Sequence, residues 1–283
     1  MILVTGATGR IGGAACLALD SAGVPFRALV RSADKFAFGE RGGVESCVAD
    51  LAIRADVGRA LDGVTRALLV TANSERQAEL ERSFCEQAAA AGVSHIVKVS
   101  SMEAGPDATA AFPRIHYESE QFIKSLDLSW TMVQPNFFMQ NLLMYAHSIS
   151  NEGTFALPLG NAKTGIVDAR DVGAVCATVL REQGHEDRTY QVTGSELLTF
   201  SEVATEMSKA LGREIRYVDQ PAEEFRAFLG QVIPSTWHVD AVCDLFASIA
   251  GGALEKTSSC VNDVLGREPT SVAAFTADHV SAF

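Results

Sequence analysis

The chain has 283 residues and carries 23 Lys+Arg against 35 Asp+Glu, a formal net charge of −12. At ~150 residues per domain this is one large or two small domains, enough to bury a sizeable core. The negative balance excludes non-specific binding to nucleic acid or to an anionic membrane, because both surfaces repel it. A hydrophobic fraction of 47% with 20% charged residues excludes a disordered chain.

Six cysteines (Cys16, Cys47, Cys85, Cys176, Cys243, Cys260) are scattered without a CxxC pair, and the six histidines show neither HxxxH nor HxH spacing. This pattern predicts reduced thiols in a cytoplasmic protein, with no disulfide frame and no metal site. The opening Met1-Ile2-Leu3-Val4-Thr5-Gly6 lacks a basic n-region, and no run reaches the ~20 apolar residues of a membrane span. Neither a leader nor a membrane partner is expected.

Short apolar, β-branched runs alternate with helical patterns through the first half. Strands are expected at 2–5, 26–30, 44–48, 67–71, 95–99 and 130–133, and helices at 11–22, 54–61, 75–91 and 117–126. The stretch 105–112 reads as a loop. This βαβα rhythm predicts an α/β fold, a Rossmann-like doubly wound parallel sheet with right-handed crossovers. After about residue 150 the rhythm loosens, with strands expected at 166–168, 189–192 and 215–218. Helices follow at 170–180, from Thr199 or Ser201 to Leu211, at 222–229 and at 236–249. The expected division is 1–150 for the nucleotide-binding domain and 151–283 for a small C-terminal α+β substrate lobe, with segments returning to the first domain.

Directly after the first strand comes Thr5-Gly6-Ala7-Thr8-Gly9-Arg10-Ile11-Gly12-Gly13. Gly6 permits the tight strand-to-helix turn, Gly9 lets the backbone approach a pyrophosphate, and Gly12 lets the helix lie close on the sheet. The helix N-terminus adds N–H donors and a favourable dipole, so Thr8, Arg10 and Ile11 are expected beside the phosphates. The spacing is GxxGxxG and not GxGxxG, so its weight comes from its place in a βαβ unit.

Nineteen residues beyond Gly12, the second strand ends at Arg31 instead of an acidic residue. A guanidinium there suits the 2′-phosphate of NADP(H), with Lys35 adding charge and NAD(H) still accepted; the alternative is a solvated strand-end arginine. Asp50 and Leu51 after the third strand are expected at the adenine. Thr71, Ala72 and Asn73 after the fourth, and Ser100 after the fifth, are expected near the nicotinamide ribose.

With Val97-Lys98-Val99-Ser100-Ser101, 129–135 (SWTMVQP), Phe137-Phe138-Met139-Gln140-Asn141 and Asp168-Ala169-Arg170-Asp171-Val172, nearly the whole chain resembles the NmrA-like branch of the atypical short-chain dehydrogenase/reductases. Within it the resemblance is strongest to the flavin-independent NAD(P)H azoreductase type, and looser to triphenylmethane and NADPH quinone reductases. The resemblance implies a Rossmann-like domain with a small substrate lobe, and NAD(P)H without flavin. It implies either hydride transfer to a small conjugated aromatic acceptor of azo or quinone type, or non-catalytic NADP(H) sensing, since the family includes both.

The Tyr-x-x-x-Lys pair of ordinary short-chain dehydrogenases is missing: four places after Tyr117, Tyr145, Tyr190 and Tyr217 stand Gln121, Ile149, Gly194 and Pro221. Some atypical relatives carry a lysine on the helix after strand five, and His116 is the nearest occupant of that place here. His116 and Tyr117 are therefore the catalytic candidates. An electron-poor, conjugated acceptor needs little acid assistance, so the protein's main task is to orient a flat molecule on the nicotinamide. Pro135 and Phe138 are expected on the cofactor, and Phe137, Phe138, Met139 and Trp237 around the substrate, or else in the core between the lobes. The substrate is the expected partner, and the protein a monomer or homodimer.

Overall fold

Runs of Val, Ile, Leu and Ala with no polar alternation can be satisfied only in a sheet covered on both faces, and they pair that way. In the computed structural model, which describes residues 1–36 and 43–283, the chain divides into two units. The first comprises Met1–Pro106, Ile115–Gln134 and Ala169–Gln191, the second Asp107–Arg114, Pro135–Asp168 and Val192–Phe283. The expected division lay at residue 150; here the first stretch of the second unit's main body begins at Pro135, and 169–191 fall in the first unit.

Strands β1 (Ile2–Val4), β2 (Phe26–Val30), β3 (Val44–Val48), β4 (Arg66–Leu69), β5 (His95–Val99) and β6 (Ser129–Pro135) form a parallel array in the order β3-β2-β1-β4-β5-β6. Ile2 lies opposite Phe26 on one side and Arg66 on the other, so the strand order reverses around β1. Open α/β sheets bind ligands at that switch point, outside the carboxyl ends of the strands. Helices α1 (Arg10–Ser21), α2 (Arg54–Ala60), α3 (Gln77–Ala90) and α4 (Ala111–Lys124) make the crossovers. One face of the sheet packs Leu3, Leu29, Ala67, Leu69 and Ile96 against Val57, Phe84, Cys85 and Ile123 of the helices, all buried.

Helix α4 begins six residues before the expected Tyr117. Pro113 is its third residue, within the first turn, where a missing N–H leaves no intrahelical bond unmade. The proline and the alanine-rich lead-in disguised the helix start.

Beyond residue 135 the elements are α5 (Ala146–Glu152), β7 (Thr154–Leu157), β8 (Lys163–Thr164), α6 (Ala169–Arg181), β9 (Arg188–Val192), β10 (Leu198–Thr199) and α7 (Phe200–Leu211). Then come β11 (Arg216–Asp219), α8 (Ala222–Val232), α9 (Thr236–Ala250), α10 (Cys260–Leu265) and α11 (Val272–Asp278). Strand β9 takes the edge of the main sheet beside β6. The second unit holds two small ladders, β7 with β11 in parallel and β8 with β10 antiparallel. The expected strand at 166–168 is instead a single bridge between Val167 and Phe138. Thr199 opens α7 with a reciprocal capping box to Glu202, and Gly212 closes it at φ +66°. Among the described residues, no helix is long and apolar enough to cross a membrane.

Candidate active site

The turn between β1 and α1 is held open by backbone geometry. The Thr5 hydroxyl donates to Val70 O at 2.9 Å and accepts from Val70 N at 2.8 Å, which ties the end of β1 to the end of β4. Gly6 follows at φ +61°, and a Cβ there would sit 2.9 Å from Val70 O. Gly9 N donates to Gly6 O at 2.8 Å, and Gly9 then serves as an N-cap with no side-chain cap. A Cβ on Gly12 would fall 2.3 Å from Gly6 O and 2.9 Å from Thr5 O, so only hydrogen fits where α1 crosses the turn. Farther along α1, Gly173 of α6 meets Ala14 and Ala15 closely enough that a Cβ would lie 2.5 Å from Ala14 Cβ. The helix is thus seated tightly while Thr8, Gly9 and Arg10 stay exposed and Ile11 half-buried around its uncapped N-terminus. Such a cradle, too tight for side chains and rich in N–H, fits a dinucleotide pyrophosphate.

Other expected cofactor residues have distinct settings. Arg31 is exposed at the end of β2, without an ion-pair partner among the described residues. The Lys35 side chain lies outside the described residues. Asp50 uses one carboxylate oxygen to close its own turn, accepting from Ala52 N at 2.8 Å, and Leu51 is half-buried beside it. Ala72 and Asn73 are exposed beyond β4. Ser100 is buried at the end of β5, and its hydroxyl has no hydrogen-bond partner among the described residues.

A buried polar cluster lies at the carboxyl ends of β4 and β5, one strand from the glycine turn. Lys98 Nζ contacts Glu81 Oε1 of α3 at 2.7 Å, with the two side chains 0% and 1% exposed. The same oxygen accepts from Thr71 Oγ1 at 2.5 Å and Gln77 Nε2 at 3.1 Å. Lys98 Nζ also lies 3.3 Å from Val99 O and 3.3 Å from His116 Nδ1, so three acceptors surround the three protons of one ammonium. His116, on α4, is 8% exposed, and its Nδ1 is 3.5 Å from Gln77 Nε2. Burial, then the Lys98 charge, push the His116 pKa down to about 3, so the ring is neutral at pH 7. Burial acts to raise the Glu81 pKa, but Lys98 and the surrounding donors prevail and hold it below the usual carboxylate range. Tyr117 is half-buried at the next position and makes none of these contacts.

Sequence reasoning reached His116 and Thr71 but not the pair that organises them. The signal was present: Lys98 interrupts His95-Ile96-Val97-Lys98-Val99, and a lysine in a strand covered on both faces requires a buried anion.

In the second unit, Phe137 and Met139 are core side chains. Phe137 stacks edge-on against Phe200 and Phe246, at centroid distances of 5.2 and 5.9 Å, and Met139 is fully packed. Phe138 is half-buried on the Val167 bridge, and Pro135 is buried at the end of β6. Trp237 is half-buried, edge-on to Phe112 at 5.7 Å. The hydrophobic run leaving β6 therefore serves packing at two positions, with surface remaining at Phe138. Among the described residues, no cluster of His, Cys, Asp and Glu is arranged to hold a metal ion.

A glycine cradle at the switch point of a parallel sheet defines a dinucleotide-binding α/β protein, and comparison with known proteins narrows the class. Residues 1–276 match the model of the NmrA-like family. The chain is 38% identical over 284 residues to an NAD(P)H azoreductase of Xenophilus azovorans, covering 100% of this chain and 99% of that protein. It is 36% identical over 289 residues to a (4-alkanoyl-5-oxo-2,5-dihydrofuran-3-yl)methyl phosphate reductase of Streptomyces griseus, covering 100% of this chain and 99% of that protein. The NADPH complex of the Escherichia coli quinone oxidoreductase QOR2 superposes with a TM-score of 0.89 at 26% identity, over 99% of this chain and 100% of that one. The chain belongs to the NmrA-like family.

Proposed function

We propose that this chain is an NAD(P)H-dependent oxidoreductase that prefers NADP(H) and transfers hydride to a small conjugated acceptor of azo or quinone type, without flavin or metal. The observation that carries the reading is the cradle formed by Gly6, Gly9 and Gly12, too tight for side chains and set at the uncapped N-terminus of α1, a shape that suits a pyrophosphate. Membership of a family whose similar members are named reductases supports the chemistry. Bound dinucleotide supplies the hydride. Gly6, Gly9 and Gly12 fix its phosphates, Arg31 takes the 2′-phosphate, and Thr71 and Ser100 lie toward the ribose and nicotinamide. His116 on α4 donates to the heteroatom that gains charge.

The test is absorbance at the nicotinamide band, with NADPH and NADH assayed separately against quinones, azo dyes and simple ketones. Oxidation by conjugated acceptors and not by ketones is expected. Dinucleotide binding with no turnover of any acceptor would overturn the reading in favour of a sensor. In the same assay Arg31→Ala should raise KM for NADPH by ~10-fold or more and leave NADH within ~2-fold, as loss of a charge-assisted contact worth ~1.5–3 kcal/mol requires. Equal effects on both cofactors would remove Arg31 from the 2′-phosphate.

A further inference from the structure

The Lys98–Glu81–His116 cluster has a directionality that fixes the state of its imidazole. Lysine has donors only, and Lys98, paired with Glu81 Oε1 at 2.7 Å, meets His116 at Nδ1. Gln77 approaches the same nitrogen through Nε2, oriented by its bond to Glu81 Oε1. Both neighbours of Nδ1 are therefore donors, so Nδ1 accepts and the ring proton sits on Nε2. The charged groups facing the ring are Lys98 from β5 and Glu81 from α3. Lys98 disfavours a second positive charge on the imidazole, as does burial, which keeps a neutral donor in place across the working range of pH.

We propose that Lys98 and His116 form a proton relay that replaces the missing Tyr-x-x-x-Lys, with Glu81 holding Lys98 in place. Hydride addition to an azo nitrogen or a conjugated carbonyl leaves an anion on nitrogen or oxygen. His116 gives up its Nε2 proton to that atom while its Nδ1 takes one from Lys98 Nζ, so one N–H bond breaks and one forms at the ring, which stays neutral. Once the product leaves, Nε2 takes a proton from solvent and Nδ1 returns its proton to the Lys98 amine, which restores both groups. The sum is one hydride from the cofactor and one proton from solvent. Lys98 and Glu81 are positioning residues, and His116 is the group that meets the substrate. This rests on the reductase reading.

Two readouts test it. In cofactor-free protein carrying ¹⁵N-histidine, NMR from pH 5 to pH 9 should show the His116 ring as the neutral Nε2–H tautomer throughout. In the charge-matched variant Lys98→Met/Glu81→Gln, chosen so that no unpaired ion is buried, that tautomer preference should be lost. Turnover supplies the second readout, because hydride addition to a cationic triarylmethane dye cancels a charge and needs no proton, whereas an azo acceptor needs one. His116→Phe should lower azo turnover ~100-fold or more, the contribution expected of a positioned general acid, and leave the cationic dye within ~3-fold. The double variant should show the same split. A ring found as Nδ1–H, or titrating within this range, overturns the relay alone, as does equal loss on both acceptors. Wild-type protein that reduces neither acceptor overturns the reductase reading and the relay with it.

Discussion

A single methyl group at position 12 is expected to remove most dinucleotide binding. The Cβ of Gly12→Ala would stand 2.3 Å from Gly6 O, 2.6 Å from Gly6 C and 2.9 Å from Thr5 O. All three are backbone atoms, so no side chain can swing aside. Relief requires the turn or the helix to shift by about 1 Å, and a misplacement of that size costs ~100-fold in a site that works by geometry. The turn cannot yield cheaply on its other side, since Thr5 is bonded to Val70 in both directions and Gly6 is already pressed on Val70 O. We expect calorimetry to show a loss in NADPH affinity of ~100-fold or more, with thermal unfolding showing an overpacking cost of ~1–3 kcal/mol. Gly13→Ala is the control: its Cβ would lie 3.4 Å from Ala7 O, an ordinary contact. Binding there should persist, with a small gain in helix stability. Equal affinity in Gly12→Ala and wild type would mean that the seat of α1 on the turn does not shape the site.

Lys98→Met should be the most destabilising single change in the polar interior. It leaves the Glu81 carboxylate buried with its hydrogen bonds to Thr71 and Gln77 but without a cation. Breaking one partner of a buried pair costs ~3–5 kcal/mol, whereas replacing both by neutral groups is often nearly free. The sign of the pH dependence follows from Glu81. In the wild type its folded pKa is depressed, so its contribution is present above the unfolded value near 4.5 and is lost as the pH falls toward the folded value. In the variant the Lys98 charge that outweighed burial is gone and the Glu81 pKa rises, so protonation at lower pH relieves the strain. Protonation of His116, no longer repelled by Lys98, acts in the same direction. Denaturant unfolding should therefore show a stability difference of ~3–5 kcal/mol at pH 8 that shrinks steadily toward pH 5, with Lys98→Met/Glu81→Gln recovering most of the loss. A difference independent of pH would place the cost in packing and not in the buried charge.

Much of this was readable in the chain because local rules and tertiary demands agree. Strands 26–30 and 95–99 fall where the apolar runs place them, since a strand buried on both faces needs little besides apolar β-formers bounded by turn residues. The glycine turn was legible because each glycine answers a local requirement. Helix α4 was obscured where Pro113 suggests an end but occupies a first turn. The 3₁₀ stretch at Met139–Tyr145 and the α5–β7 connection lack the periodicity that would announce them. The cluster at His116 was hidden for a different reason: Glu81, Lys98 and His116 come from a helix, a strand and a second helix, separated by 17 and 18 residues. Only the crossovers bring them together. Phe137 and Met139 illustrate the limit of composition, because an aromatic run at a strand exit serves a pocket wall and a packed core with the same residues.

The account as a whole depends on the main chain of the β1–α1 turn gripping a dinucleotide. Isothermal titration of NADPH into the wild-type protein measures that grip without assuming an acceptor. One molecule per chain with a dissociation constant in the ~1 μM–1 mM range of ordinary enzyme ligands is the expected result. Absence of saturable heat for both NADPH and NADH at millimolar concentration would contradict it.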